Sequence, residues 1–142
     1  MDVGERPRRV GLLSPTPTPV ILLDTNALIW LQAGAARARP LEPFAGRVHV
    51  SPAVLLELGF LAETGRLKLR RGVSLASIAE DDRWIVDDPP ALAWFALAAE
   101  LKWTRDPFDR LIAAHARLRR WRLATADAHV LQHLDASEVL EL

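Results

Sequence analysis

An α/β domain with a largely parallel sheet is the fold class this sequence predicts, and three observations predict it. Short apolar runs alternate with longer helical patterns from residue 20 to the end. Two of the runs pass straight into helix-starting residues: Asp24-Thr25-Asn26 follows Leu23, and Ser51-Pro52 follows Val50. The first run, Val20-Ile21-Leu22-Leu23, is apolar at every position, as a strand covered on both faces must be.

The elements follow in order. Residues 20–23 form the first strand, and 27–32 a short helix that Gly34 ends. Residues 35–46 carry two prolines and read as a mobile connection or a poorly formed helix. A second strand spans 47–50. Ser51 and Pro52 then start a helix over 53–64, which has Leu55, Leu58, Leu61 and Ala62 at helical spacing and closes at Gly65. Residues 65–72 alternate basic and apolar side chains, which suits an extended piece with a basic outer face. A brief helix covers 74–79, and 83–86 form the third strand. Asp87 and Asp88 are expected to cap, and Pro89 and Pro90 to open, a helix over 91–101. That helix is apolar enough to expect burial on most sides. Asp106-Pro107 starts a helix over 108–119, 121–125 is the fourth strand, 129–134 a small helix and 138–142 the last strand. No repeat is present.

Composition narrows the function. The chain has 142 residues, enough for one core. Its 18 basic and 18 acidic residues cancel, so net charge selects no partner. It has no cysteine, which leaves no disulfide framework and no thiolate metal site. No apolar run approaches the ~18 residues of a membrane span, so no membrane partner and a cytoplasmic location are expected. Residues 1–19 differ from the rest: Arg6-Pro7-Arg8-Arg9 precedes a Pro-Thr alternation that favours extended backbone. They read as a flexible Pro-rich leader ahead of a domain over 20–142. A basic arm on nucleic acid, or a natural start near Val20, are the other readings.

Four acids stand out. Asp24 follows the first strand, Glu57 lies on the second helix, Asp109 is one turn into the helix after Asp106, and Asp127 follows the fourth strand. Singly, each has an ordinary role. Asp24 and Asp127 suit caps or turns, Glu57 a solvated helix position, and Asp106-Pro107-Phe108-Asp109 a capping box. Together they differ. In open α/β sheets ligands bind at the carboxyl ends of strands. Carboxylates gathered there repel one another unless a hard divalent cation takes their oxygens. Such an ion binds phosphate and activates water, the chemistry of phosphodiester hydrolysis.

The chain resembles the PIN-domain ribonucleases, and among them the VapC toxins of type II toxin–antitoxin systems. The carrying residues are Leu22 through Trp30, Glu57 with Gly65-Arg66-Leu67-Lys68-Leu69, the block Arg105-Asp106-Pro107-Phe108-Asp109-Arg110, and Leu123-Ala124-Thr125-Ala126-Asp127. The Arg-Asp-Pro-Phe-Asp-Arg block is the most specific, and the match runs from Val20 to Leu142. The resemblance implies a three-layer α/β/α fold with strand order 3-2-1-4-5. It also implies Mg²⁺- or Mn²⁺-dependent cleavage of RNA leaving 5′-phosphate and 3′-hydroxyl ends, a homodimer, and inhibition by a cognate small antitoxin. Carried over by position, Asp24, Glu57, Asp109 and Asp127 are the catalytic acids, with Asp24, Asp109 and Asp127 on the metal. Asn26, Thr125 and Asp106 support them, Asp106 as a cap within reach of the metal through water. Gly59 inside the second helix departs from the pattern, at a cost of about 1 kcal/mol in helix propensity. Two alternatives stand beside the toxin: an RNA-processing nuclease of the same fold, and a non-catalytic binding module.

Other residues are weighed against plainer roles. His129 and His133 are spaced for a metal but lack a third partner other than Asp127, so a helix surface is expected. His115 is expected partly buried or at an edge. Trp94 and Trp103 are placed at a protein interface. Arg110, beside Asp109, is assigned to RNA phosphate, whereas Arg119 and Arg120 are assigned to a solvated helix end.

Overall fold

The structure, a computed structural model, describes residues 19–142, so all but the last residue of the expected leader lies outside the described residues. Five strands among the described residues make one sheet: β1 (Ile21–Leu23), β2 (Val48–Val50), β3 (Ile85–Val86), β4 (Arg122–Thr125) and β5 (Val139–Glu141). Their order is β3-β2-β1-β4-β5 and every pairing is parallel. The central strand therefore pairs on both sides, with Leu23 opposite Val50 and opposite Ala124. Ile21, Leu22, Leu23, Val50, Leu123 and Ala124 are almost wholly buried, which is why their strands read as unbroken apolar runs.

Among the described residues six α-helices flank the sheet: α1 (Thr25–Ala33), α2 (Pro52–Glu63), α3 (Leu75–Ala79), α4 (Ala91–Glu100), α5 (Pro107–Arg119) and α6 (Ala128–His133). Gly34 ends α1 at φ 69°, a left-handed turn that costs other residues about 1–2 kcal/mol. Gly59 has a packing reason. A Cβ there would come within 3.3 Å of Leu75 Cδ1, so the glycine lets α3 lie close against α2. Among the described residues no helix is long and apolar enough to cross a membrane.

Three expectations need correction. Residues 35–46 hold an ordered 3₁₀ helix, Ala36–Phe44, with Ala38, Leu41 and Phe44 buried. Those inward positions recur every third residue, the repeat of a 3₁₀ helix, with Pro40 and Pro43 at positions between them. Helix α4 is not buried on most sides. Only Trp94 and Ala98 are buried, while Leu92 is 87% and Phe95 55% exposed. Trp94 in turn is no surface residue: it donates to the Leu111 carbonyl at 2.7 Å and holds α4 on α5.

The third correction concerns Asp87 and Asp88. Pro90 sits at the N-cap of α4 without a side-chain cap. Asp87 instead reaches the far half of α5, where it accepts from Arg119 Nε at 2.8 Å and lies 2.7 Å from His115 Nε2. Arg119 is thus an ion-pair partner and not merely solvated, whereas Arg120 is exposed and closes α5 at φ 60°. His115 is fully buried, deeper than a helix-edge position, and packs between Trp94 and Trp121. Burial pushes Asp87 up, but its bonds to Arg119 and His115 prevail and hold it below the usual carboxylate range.

Candidate active site

The parallel sheet puts the carboxyl ends of β1 and β4 side by side, and the acids gather there. Asp24 is the residue after β1, and its N–H donates to the Ala124 carbonyl of β4 at 3.1 Å. Asp127 lies just beyond β4, with its N–H on the hydroxyl of the fully buried Thr125 at 3.0 Å. Helices α2 and α5 bring Glu57, Asp106 and Asp109. One cleft is lined by Asp24, Thr25, Asn26, Glu57, Leu61, Asp106, Asp109, Ile112 and Asp127.

Local structure fixes each side chain. Asp24, Asp106 and Asp127 are the N-caps of α1, α5 and α6. Each uses one carboxylate oxygen: Asp24 takes the Ala27 N–H, Asp106 those of Phe108 and Asp109, and Asp127 those of His129 and Val130. Capping itself does not use the second oxygen of any of the three. Capping and site membership are therefore one arrangement, not rival readings. Only half of the expected capping box forms at α5, because the Asp109 side chain turns to the cleft instead of back to Asp106.

Crowding shows in the acidities. Burial, joined by repulsion from Asp127 and Glu57, raises Asp24 to about 6 against the pull of Thr125 and the Ala27 N–H. Burial and the charges of Asp106, Asp127, Glu57 and Asp24 raise Asp109 to about 7. Glu57 is raised too, first by burial, although the Thr25 hydroxyl donates to its Oε1 and Arg66 draws it the other way. Among the described residues no three His, Cys, Asp or Glu side chains form a ready-made cage for an ion. The donor set nevertheless fits one: it has only oxygen donors, and burial and mutual repulsion disfavour the charged forms of the raised acids, which a hard divalent cation would offset.

Sequence reasoning missed Thr25. Nothing in a single chain links it to Glu57, 32 residues away. Arg110, assigned to RNA phosphate by its position beside Asp109, lies at the turn between α4 and α5. It is outside the cleft lining, and its guanidinium donates to the Thr104 carbonyl at 2.8 Å and the Ala99 carbonyl at 3.4 Å, holding the turn between α4 and α5. His129 and His133 turn to Trp103: His129 Nε2 lies 2.7 Å from its carbonyl and the His133 ring stacks on its indole. Trp103 is half-buried under them.

The chain is similar to known proteins. A family model described as the PIN domain matches residues 21–136. Ribonuclease VapC22 of Mycobacterium tuberculosis is 34% identical over 119 residues, spanning 80% of this chain and 91% of its own. Among solved structures, a toxin–antitoxin complex from Klebsiella pneumoniae superposes with a TM-score of 0.60 at 19% identity, covering 86% of this chain and 99% of that one. VapBC2 from Rickettsia felis, bound to a DNA fragment from its promoter, does so at 0.60 and 21%, covering 86% and 97%. The structural likenesses share the sheet order and flanking helices. The sequence likeness adds the branch: the chain belongs to the PIN-domain family, with the VapC ribonucleases.

Proposed function

We propose that this protein is the toxin of a type II toxin–antitoxin pair, a divalent-metal-dependent endoribonuclease acting in the cytoplasm. The observation that carries the reading is the single cleft of five carboxylates at the strand ends, with Asp24 and Asp109 pushed up to about 6 and 7. Kinship with a ribonuclease over most of the chain supports RNA as the substrate.

Asp24, Asp109 and Asp127 would hold Mg²⁺ or Mn²⁺, the first and last through the oxygen that capping leaves over. Bound there, the ion supplies positive charge to the phosphate and lowers the pKa of water. Glu57, fixed by Thr25 and raised in pKa, accepts a proton from the attacking water and orients it. Thr125 steadies Asp24, Asn26 borders the cleft, and Asp106 adds a water-mediated contact. No histidine or cysteine stands ready as a nucleophile among these residues, so direct attack by water is favoured over a covalent intermediate. Arg110 belongs to the α4–α5 turn more than to RNA.

The partners follow the same reading. A small antitoxin covering the acid cleft would offer it a basic side chain. The exposed apolar face of α4 would pair two copies in a homodimer.

The test is direct. Purified protein should cut RNA with Mg²⁺ or Mn²⁺ and stop in excess EDTA. Cutting that continues undiminished in EDTA overturns the mechanism.

A further inference from the structure

The stretch between α2 and α3 does something the catalytic reading does not use. From residue 64 to residue 79 the chain has four cations, Arg66, Lys68, Arg70 and Arg71, and no acid. Residues 67–70 belong to no helix or strand, and burial alternates along them. Leu67 and Leu69 turn inward against Leu28, Ile29 and Leu58, so Arg66, Lys68 and Arg70 face solvent by simple alternation.

Its course is fixed at both ends. At the start, the N–H groups of Arg66 and Leu67 donate to the carbonyl of Leu61, a residue that lines the acid cleft. Arg66 lies close enough to Glu57 to favour its charged form and pull its pKa downward. At the far end, Arg70 reaches the Ala33 carbonyl at the close of α1. Helix α1 starts at the cleft and is nine residues long, so the strip leads away from the cleft for about 13 Å at 1.5 Å per residue. Alternate cations along it stand ~6.7 Å apart, a spacing that a single extended polynucleotide backbone can follow.

Charge makes the strip useful. A polyanion entering a cleft of five carboxylates is repelled unless cations hold it nearby. Several of the other arginines are neutralised by acids: Arg83, Arg117 and Arg119 each pair with a carboxylate.

We propose that Arg66, Lys68, Arg70 and Arg71 form a phosphate-binding track that leads single-stranded RNA into the acid cleft. The inference rests on the ribonuclease reading for its substrate, but it can be tested apart from cleavage. The probe is a fluorescent 20-nucleotide single-stranded RNA in EDTA, titrated with the full chain across a range of salt. Lys68→Gln, Arg70→Gln and Arg71→Gln together should weaken binding about tenfold and flatten the salt slope by ~2, at ~0.7 per phosphate lost. Charge-keeping replacements, Lys68→Arg, Arg70→Lys and Arg71→Lys, should restore both. In Mg²⁺ the Gln variant should lose in KM on the 20-mer more than in kcat, and lose less on a trinucleotide too short to reach the strip.

Wild-type binding and salt slope in a folded Gln variant overturn the track. The same follows if the variant binds RNA normally but loses a poly-glutamate peptide, which assigns the strip to an acidic protein. RNA that binds on the strip yet is never cut leaves the track standing and removes the nuclease reading.

Discussion

The hydroxyl of Thr25 donates to Oε1 of Glu57, joining the first turn of α1 to the middle of α2 across the acid cleft. One hydrogen bond thus sets the direction of a carboxylate that would otherwise swing on a flexible stem.

Thr25→Val keeps the shape and removes that bond. Cleavage should fall about tenfold or more if Glu57 orients water, since such positioning is worth 10²–10⁴-fold at most. Stability should drop by about 1 kcal/mol, and Thr25→Ser should recover both. Full activity in the valine variant would take Glu57 out of the reaction.

Asp24→Asn separates catalysis from folding. The ordinary aspartate value is 3.8, and the folded chain raises Asp24 to about 6. A carboxyl raised on folding binds its proton more tightly when folded. Its penalty is therefore absent below the lower value and complete above the higher one. In EDTA the variant should melt a few degrees above wild type at pH 8 and level with it at pH 3. His115, lowered by burial and so working in the opposite sense over part of this range, titrates alike in both proteins and cancels in the difference. In Mg²⁺ the variant should lose about 10²-fold in rate, some 3 kcal/mol. A gap that does not change with pH would show that Asp24 carries no crowded charge.

Asp87→Ala strips Arg119 and the buried His115 of their common partner. A loss of about 2–4 kcal/mol is expected in chemical denaturation, with the cleavage rate per folded molecule kept. Because Asp87 is held low, its stabilising effect is present above the unfolded pKa and fades as the pH falls through the folded one.

Phe95→Glu places a charge on the exposed face of α4. Light scattering should show a dimer for wild type and a monomer for the variant at equal concentration, with unchanged melting. A wild-type monomer at high concentration removes the homodimer.

Expressed alone, the wild type should slow growth, and co-expression of a short adjacent gene should relieve it. No growth effect at high expression and no such gene would favour the RNA-processing alternative.

The strands and their caps were legible because they are local. Branched apolar runs ending in Asp24 and Ser51 specify both a strand end and a helix start. What escaped was direction. Helix α4 is apolar all round, so its pattern could not say that Trp94 and Ala98 would find α5 while Leu92 and Phe95 would not. Asp87 stood where a cap belongs, yet Arg119 and His115, about 30 residues on, made the stronger bonds. The inward Ala38, Leu41 and Phe44 were readable as a three-residue period, but prolines drew the reading toward disorder. At the site, the acids were legible by position, whereas Thr25 and Arg66 act across the fold.

Asp24, Asp106 and Asp127 each start a helix with one oxygen and also line the cleft. This dual duty constrains how such a gene can decay. A toxin under pressure to fall silent cannot discard these acids for alanine without also fraying a helix start, at about 1 kcal/mol apiece. Asparagine keeps the cap and lowers the charge. Harmless descendants of this chain should therefore have Asn at these three positions more often than any other replacement. At Asp109, which caps nothing, drift should scatter freely among small and polar residues.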